Sequence, residues 1–409
     1  MDAPMIAGTP VFDLDDAASL EAADTGALLR SAASAGAQVR ATAAAVAEAR
    51  LAERLGDLRP RSLVVVTGSG RAPRAAELLI AALGERAGLP VVAVTGLPPW
   101  VGPLDVVLVA GDDAGDQRLV DAVDRGLRRG AEVVVAVPNE GPMRAVAAGR
   151  AIVLEPRVPV REHNRLLRFV AVGVAVLAAV DAGRSGPHVP DLTELADVLD
   201  AEALRDGPQN EVFHNPAKTL ATRMQGRGIV LAGDSLAAVE LAEHAAEVLL
   251  QAAGTIATAA DLSDVIASRG RLVAAAGTPS PDFDPLFHDE ELDGPIPVER
   301  VRIFTFSVAR DRALARRRLA VFGGADAGVV DADLVHADVD VLQTDLIEPG
   351  AVPTAAPEAT AGGGAVSEIE QLAVLTVRLE MAAAYLAITG SRGASPAATP
   401  DRYDDGGRY

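Results

Sequence analysis

The stretch "SLVVVTGSG" at 62–70 constrains the fold more than any other. It is a short apolar run without polar alternation, closed by two glycines. Such a run cannot leave one face in water, so it suits a strand buried on both faces of a parallel sheet. The helical pattern "RAPRAAELLIAALGERAG" follows and closes on Gly88. The unit then recurs. "PVVAVTG" reads as a second strand, "DVVLVAGDD" as a third, and "DQRLVDAVDRGLRRG" as the next helix. "AEVVVAVPN" and "RAIVLEP" read as the fourth and fifth strands, and residues 164–183 supply a covering helix. Regular alternation of strand and helix implies right-handed crossovers and a doubly wound parallel sheet.

The second half repeats the plan. "RGIVLAGDS" is a strand with a glycine turn, and "AAVELAEHAAEVLLQAAG" is a helix. "TIATAAD" is a weak strand, "ERVRIFTFSV" a strong one, and "RDRALARRRLAVFGG" a helix. A further strand ends in "DVDVLQTD" (338–345), and "SEIEQLAVLTVRLEMAAAYLAITG" is the final long helix. The expected fold class is α/β, with two doubly wound parallel-sheet domains and helical flanking segments. The expected division is a helical segment at 1–56, a first domain at 57–185, a linker at 186–214, a second domain at 215–390 and a disordered tail at 391–409. "AVPTAAPEATAGGGAV" (351–366) reads as a flexible loop.

Composition narrows the function classes. Hydrophobic residues make up 49% of the 409, yet aromatics only 3%, so the core must be closely packed Ala, Val and Leu. A net charge of -20 disfavours nucleic acid and anionic membrane as partners. The arginine-rich stretches "DRGLRRG" and "RDRALARRRLA" read as solvated helix faces. The absence of cysteine excludes disulfides, thiolate nucleophiles and Cys-bound zinc. The start, "MDAPMIAGTPVFDLDD", has no basic n-region and does not read as a signal peptide. "FVAVGVAVLAAVDAG" (169–183) is too short before Asp181 to span a bilayer and reads as a buried helix. The expectation is a soluble, cytoplasmic protein.

The turn "TGSGRAPRA" places Gly68 and Gly70 around Ser69. A dinucleotide site would want a third glycine where Pro73 stands, and an acid at the end of the next strand, which ends instead at Thr95. The turn still aims backbone N–H groups from a helix N-terminus, which suits a phosphate or a sugar hydroxyl. It also suits a tight strand–helix connection with no ligand. The junction "VFHNPAKTLATRMQGRGIVLAGD" (212–234) holds Lys218, the only lysine. Asn215 is a good N-cap and Pro216 fits the first helical position. Lys218 and His214 then lie either on an ordinary helix face, the favoured reading, or toward an inter-domain cleft.

Together, the two wound halves, "TGSG", "NPAKTLATRMQGRGIVLAGD" and "LAVLTVRLEMAAAYLAITG" resemble the sugar isomerase (SIS) domain proteins. The similarity is to the bifunctional phosphoglucose/phosphomannose isomerases, in an actinobacterial, TobH-type branch. Asn215, Ala217, Lys218, Leu220 and Ala221 match that group's Asn-x-Ala-Lys-x-Leu-Ala segment. The resemblance covers about 60–390 and implies flavodoxin-like SIS domains, a sugar-phosphate ligand, no cofactor or metal, and a homodimer. The Ala-rich helices at 19–56 and 367–389 are expected to offer the pairing surface.

The departures from the group's pattern bear on activity. Its phosphate loop, Ser-x-Ser-Gly-x-Thr-x-Glu, aligns with "AGDDAGDQ" (110–117), so Asp112 and Asp113 stand where a dianion would sit. Like charges there are costly unless protonated or bridged by a metal. The family's histidine segment aligns with "AADLSDVI", where Asp261 and Leu262 match Glu-Leu and Asp264 replaces the histidine. Glu247 lies within one position of the family's catalytic glutamate. His244, one helical turn earlier, is expected to form a substitute pair with it or to lie on an exposed helix face. The candidate catalytic residues are Glu247, His244 and Asp264; the candidate ligand residues are Gly68, Ser69, Gly70, Asp112, Asp113, His214 and Lys218. Three readings follow: a sugar-phosphate-binding SIS protein with a degenerate isomerase site in mannose and glucose phosphate metabolism, an active aldose–ketose isomerase of sugar 6-phosphates, or a structural dimer partner.

Overall fold

The computed structural model describes residues 13–181, 188–276, 300–308, 312–323, 329–337 and 367–390, with a short antiparallel hairpin, β1 (Met5–Ile6) and β2 (Thr9–Pro10), before them. Four helices open the chain: α1 (Ala17–Ala23), α2 (Leu28–Ala32), α3 (Ala35–Glu48) and α4 (Leu51–Leu55). The first sheet follows: β3 (Ser62–Thr67), α5 (Ala72–Leu83), β4 (Val91–Val94), β5 (Asp105–Ala110), α6 (Gln117–Arg128), β6 (Glu132–Ala136), α7 (Gly141–Ala147) and β7 (Ile152–Val153). Its strand order is β4-β3-β5-β6-β7, all parallel. β3 and β5 are buried at every position, as their unbroken apolar runs require.

Two helices, α8 (Leu166–Val180) and α9 (Leu192–Arg205), precede the junction helix α10 (Pro216–Met224). The second sheet is built from β8 (Gly228–Gly233), α11 (Leu236–Ala253), β9 (Ala257–Asp261), α12 (Leu262–Ala267), α13 (Arg269–Ala276), β10 (Val301–Phe306), α14 (Arg312–Leu319) and β11 (Val330–Val335). Its order is β11-β10-β8-β9, again all parallel. The last helix, α15 (Glu368–Gly390), packs against α11, α10, α9, α2 and α5, and so ties the helical start and both sheet layers together.

Several expectations need correction. The segment expected as a linker contains α9, started by Asp191, whose carboxylate accepts from the amides of Thr193 and Glu194. The last strand lies at 330–335, while 338–345 falls outside the described residues, as do 351–366 and the tail 391–409. The sequence hides β11 because Asp331 and Asp333 interrupt it. Those acids are tolerated on an edge strand because Arg227 meets Asp331 at 2.9 Å and Arg223 meets Asp333 at 3.0 Å. The helix α15 cannot serve as a pairing surface, since Ile369, Leu372, Leu375, Leu379 and Tyr385 are buried within the chain. Two helices, Glu162–Val180 and Glu368–Gly390, are long and apolar enough to cross a membrane. Burial of 83% and 89% of their apolar windows identifies them as core helices instead.

The junction is structural. Asn215 accepts from the Lys218 amide at 2.8 Å, and its Nδ2 donates to the Gly207 carbonyl at 3.0 Å. Lys218 is not on an open helix face. It is fully buried beside the Tyr385 ring, and its Nζ donates to the carbonyls of Pro208 (2.8 Å) and Asn210 (2.7 Å). The ammonium thus pins the chain entering α10. Burial lowers its pKa. Lys218→Met is expected to lower unfolding free energy by about 1–3 kcal/mol because two carbonyls lose their donor, and Asn215→Ala by about 0.5–2 kcal/mol through the lost cap. Urea unfolding of both variants checks this. A Lys218→Met loss within about 0.5 kcal/mol, the range of surface changes, would restore the helix-face reading.

Candidate functional site

In the first sheet β3 connects outward to β4, and the chain then returns to β5 on its other side. That reversal leaves a crevice at the carboxyl ends of β3 and β5, where open parallel sheets take ligands. Two glycines shape it. A Cβ on Gly68 or Gly111 would fall 2.9 Å or 2.6 Å from the same Leu119 methyl, so the two turns can close only without side chains. Gly70, with φ +87°, then turns the chain into α5. Ser69 and Gly70 are exposed at the rim.

Asp112 enters this crevice from the β5 turn. Its Oδ1 lies 2.8 Å from Arg168 Nη2 and 3.2 Å from Arg165 Nη1, both on the N-terminal side of α8. The two adjacent acids expected to face a dianion are placed differently. Arginines neutralise Asp112, and Asp113 turns out to solvent, where its carboxylate accepts from the Gly115 amide at 2.7 Å. Asp112 Oδ2 is buried without a hydrogen-bond partner, and it lies 3.0 Å from where a Cβ on Gly70 would sit. The crevice thus holds an arginine-paired carboxylate with one buried, unpartnered oxygen.

Behind the crevice, α5 packs on α11 through charge. Arg71, 3% exposed, pairs with Glu247 and donates to Gln251 Oε1 at 2.6 Å. Arg74 pairs with Glu240, with Glu243, and with Glu247 at 3.0 Å. Burial lowers the Arg71 pKa and raises that of Glu240. Glu247 is therefore held between two guanidiniums.

His244 does not pair with Glu247, and it is not exposed. It points the other way, into the core, where its Nε2 lies 3.0 Å from Glu380 Oε1 on α15. Asn164 Nδ2 donates to Glu380 Oε2 at 2.8 Å, and Ser31 Oγ donates to Asn164 Oδ1 at 2.7 Å. Gln38 Nε2 reaches the Asn164 carbonyl at 2.9 Å. Burial pushes Glu380 up to about 8, and it pushes His244 well below 6.5, helped by Arg71 and Arg74. His163, buried near Arg71 and Arg161, falls to about 4. The pair is thus neutral, with the proton on Glu380 donated to His244 Nε2, because two buried charges cost more than one shared proton.

The remaining candidates lie elsewhere. Asp264 is exposed on α12, at the edge of the second sheet. His214 is exposed, edge-on to Phe213 with ring centroids 5.2 Å apart. Lys218 is committed to carbonyls. The structure therefore gathers Gly68, Ser69, Gly70 and Asp112 at one crevice, and separates Asp113, Asp264, His214 and Lys218 from it. Sequence reasoning missed Arg71, Asn164, Arg165, Arg168 and Glu380. Glu380 carried a readable signal, a carboxylate inside the apolar run "LAVLTVRLEMAAAYLAITG". Arg165 and Arg168 carried another, two arginines one helical turn apart at the start of the apolar α8.

No protein-family model and no curated protein sequence matches the chain. Solved structures do. A hypothetical protein of Thermus thermophilus superposes with a TM-score of 0.59 at 13% identity, over 92% of this chain and 89% of its own. The tagatose-6-phosphate ketose/aldose isomerase of Escherichia coli gives 0.53 at 12% identity, over 90% and 95%. The C-terminal domain of the glucosamine-fructose-6-phosphate aminotransferase of Francisella tularensis gives 0.50 at 10%, over 89% and 95%. The fold is that of the phosphosugar isomerases. At these identities the likeness establishes the paired α/β architecture of those SIS proteins, and the side chains described above decide the chemistry.

Stability is expected to fall as pH rises from 6.5 to about 8. Below pH 6.5 two sets of groups oppose each other: His163 and His244, lowered from 6.5, take up protons on unfolding, whereas Glu380 and Asp206, raised by burial, hold protons that unfolding releases. Above pH 6.5 the histidines no longer contribute, and Glu380 must release on unfolding a proton it keeps up to about 8 instead of the ordinary 4.5. Melting curves across this range check the profile. Glu380→Gln should flatten the alkaline decline, and an unchanged decline would assign it to another group.

Proposed function

We propose that this chain is an SIS protein that binds a sugar phosphate or a related small molecule and has a degenerate isomerase site. We place it with the TobH-type relatives of the phosphoglucose/phosphomannose isomerases, in mannose and glucose phosphate metabolism. One observation carries the reading. In the first crevice, Asp112 is itself the anion that Arg165 and Arg168 hold. A phosphate entering there would meet a carboxylate that already engages both guanidiniums. The aldose–ketose proton transfer needs a general base near neutral pKa within reach of a substrate carbon. Glu247 is clamped by two arginines, His244 is sealed in the core and Asp264 is exposed on another edge.

A coupled assay with glucose 6-phosphate and mannose 6-phosphate should give turnover far below about 1 per second, the low end of ordinary enzymes. A melting-temperature screen of hexose phosphates and their parent sugars should return at least one stabilising ligand. Turnover in the ordinary range would establish an active isomerase. A screen without any stabilising compound would leave the binding reading without support.

A further inference from the structure

A cavity of about 530 Å³ opens at the amino ends of β8 and β10. Open parallel sheets take their ligands at the carboxyl ends of the strands, so this hollow lies at the other end of the second sheet. Its volume falls within the range of small-molecule sites. Arg227 and Gly228 line it from the start of β8, and Arg300 and Val301 from the start of β10. Three helices end on it, with Met224 of α10, Ala253 of α11 and Gly390 of α15 in its lining.

The lining carries two guanidiniums and no carboxylate. Arg227 meets Asp331 at 2.9 Å, and Arg302 lies 4.0 Å from the same aspartate. Arg302 and Arg223 hold the neighbouring Asp333. Two aspartates are thus shared by three arginines before Arg300 is counted. Arg300 is exposed, and its guanidinium has no ion pair or hydrogen bond among the described residues. The edge therefore carries two positive charges in excess, in a chain of net charge -20. Neutral donors add to them. The amides of Gly226 and Arg227 and the hydroxyl of Thr255, which also lines the cavity, have no acceptor among the described residues. Gly226, at φ +66°, keeps open space where a side chain would stand.

The helix ends act in the opposite sense. Each carboxyl end carries about -0.5 of a charge, and its last carbonyls lack helical amides. Three such ends amount to about -1.5, less than the arginine excess but enough to favour hydrogen-bond donors beside them. A ligand that satisfies the whole lining has an anion at one end and donors at the other. Met224, Val301 and Leu386 supply apolar surface for a ring between the two.

We propose that this cavity is a binding site for a nucleoside phosphate whose base carries an amino group. The phosphate lies on Arg300 and Arg227, and the amino group donates to the carbonyls that end the helices. The site shares no residue with the first crevice and does not depend on the sugar-phosphate reading.

Titration calorimetry on the full chain with AMP, IMP, adenosine and inorganic phosphate tests it. AMP should bind at least about tenfold more tightly than adenosine or phosphate alone. IMP, which has a carbonyl where AMP has its amino group, should bind at least about threefold more weakly than AMP. Arg300→Gln should weaken AMP at least about tenfold, because a charged donor is lost. Arg150→Gln, on an exposed turn of the first domain, should change it less than about threefold. Melting curves confirm that each variant is folded. Hydrogen exchange with AMP should slow at 226–228, and glucose 6-phosphate should not displace AMP. AMP binding that Arg300→Gln leaves intact, IMP binding equal to AMP, displacement by glucose 6-phosphate, or protection confined to 68–71 and 112 would each overturn this site. Absence of any AMP binding would overturn it outright. The screen of hexose phosphates judges the sugar-phosphate reading separately in every case.

Discussion

The contact on which the rest depends is the buried meeting of Glu380 with Asn164 and His244. Glu380 lies on the last helix, Asn164 just before α8, and His244 on the first long helix of the second half. One buried carboxyl group therefore joins three distant parts of the chain. A buried polar group is stable only when its partners are present. The neutral form satisfies this, because the proton on Glu380 serves His244 while Asn164 serves the other oxygen. The extended network through Ser31 and Gln38 brings the N-terminal helices into the same arrangement.

This arrangement commits the polar side chains of α11 to partners inside the chain. Along α11 one face is committed inward, through His244, and the adjoining face is committed to α5, through Glu240, Glu243 and Glu247. The same holds at the first crevice, where Arg165 and Arg168 have an internal partner in Asp112.

The fold was legible because its strands are unbroken apolar runs and its turns end in glycine. β3 and β5 could be read from "SLVVVTG" and "DVVLVAG" directly. β11 was not read at 330–335 because Asp331 and Asp333 broke its pattern, and their partners lie on other elements: Arg302 on β10, and Arg223 and Arg227 more than a hundred positions earlier. The site was less legible for the same reason. Helical spacing showed that His244 and Glu247 share a side of α11, but it could not show that α15 and α5 approach that side at different angles and divide them. Lys218 read as a surface lysine because nothing local revealed that the carbonyls of Pro208 and Asn210 would fold back over it. The sequence exposed the acids at 112 and 113, and the structure shows Asp112 paired with Arg165 and Arg168.

The central claim is that His244 is sealed with Glu380 as a neutral pair and takes no part in chemistry on a ligand. The most direct measurement is the ring ¹⁵N chemical shift of His244 followed by NMR through the neutral pH range. The account predicts a neutral ring throughout, without a titration step near the ordinary histidine value of 6.5. A ring that titrates near that value, or that is charged throughout, would contradict it.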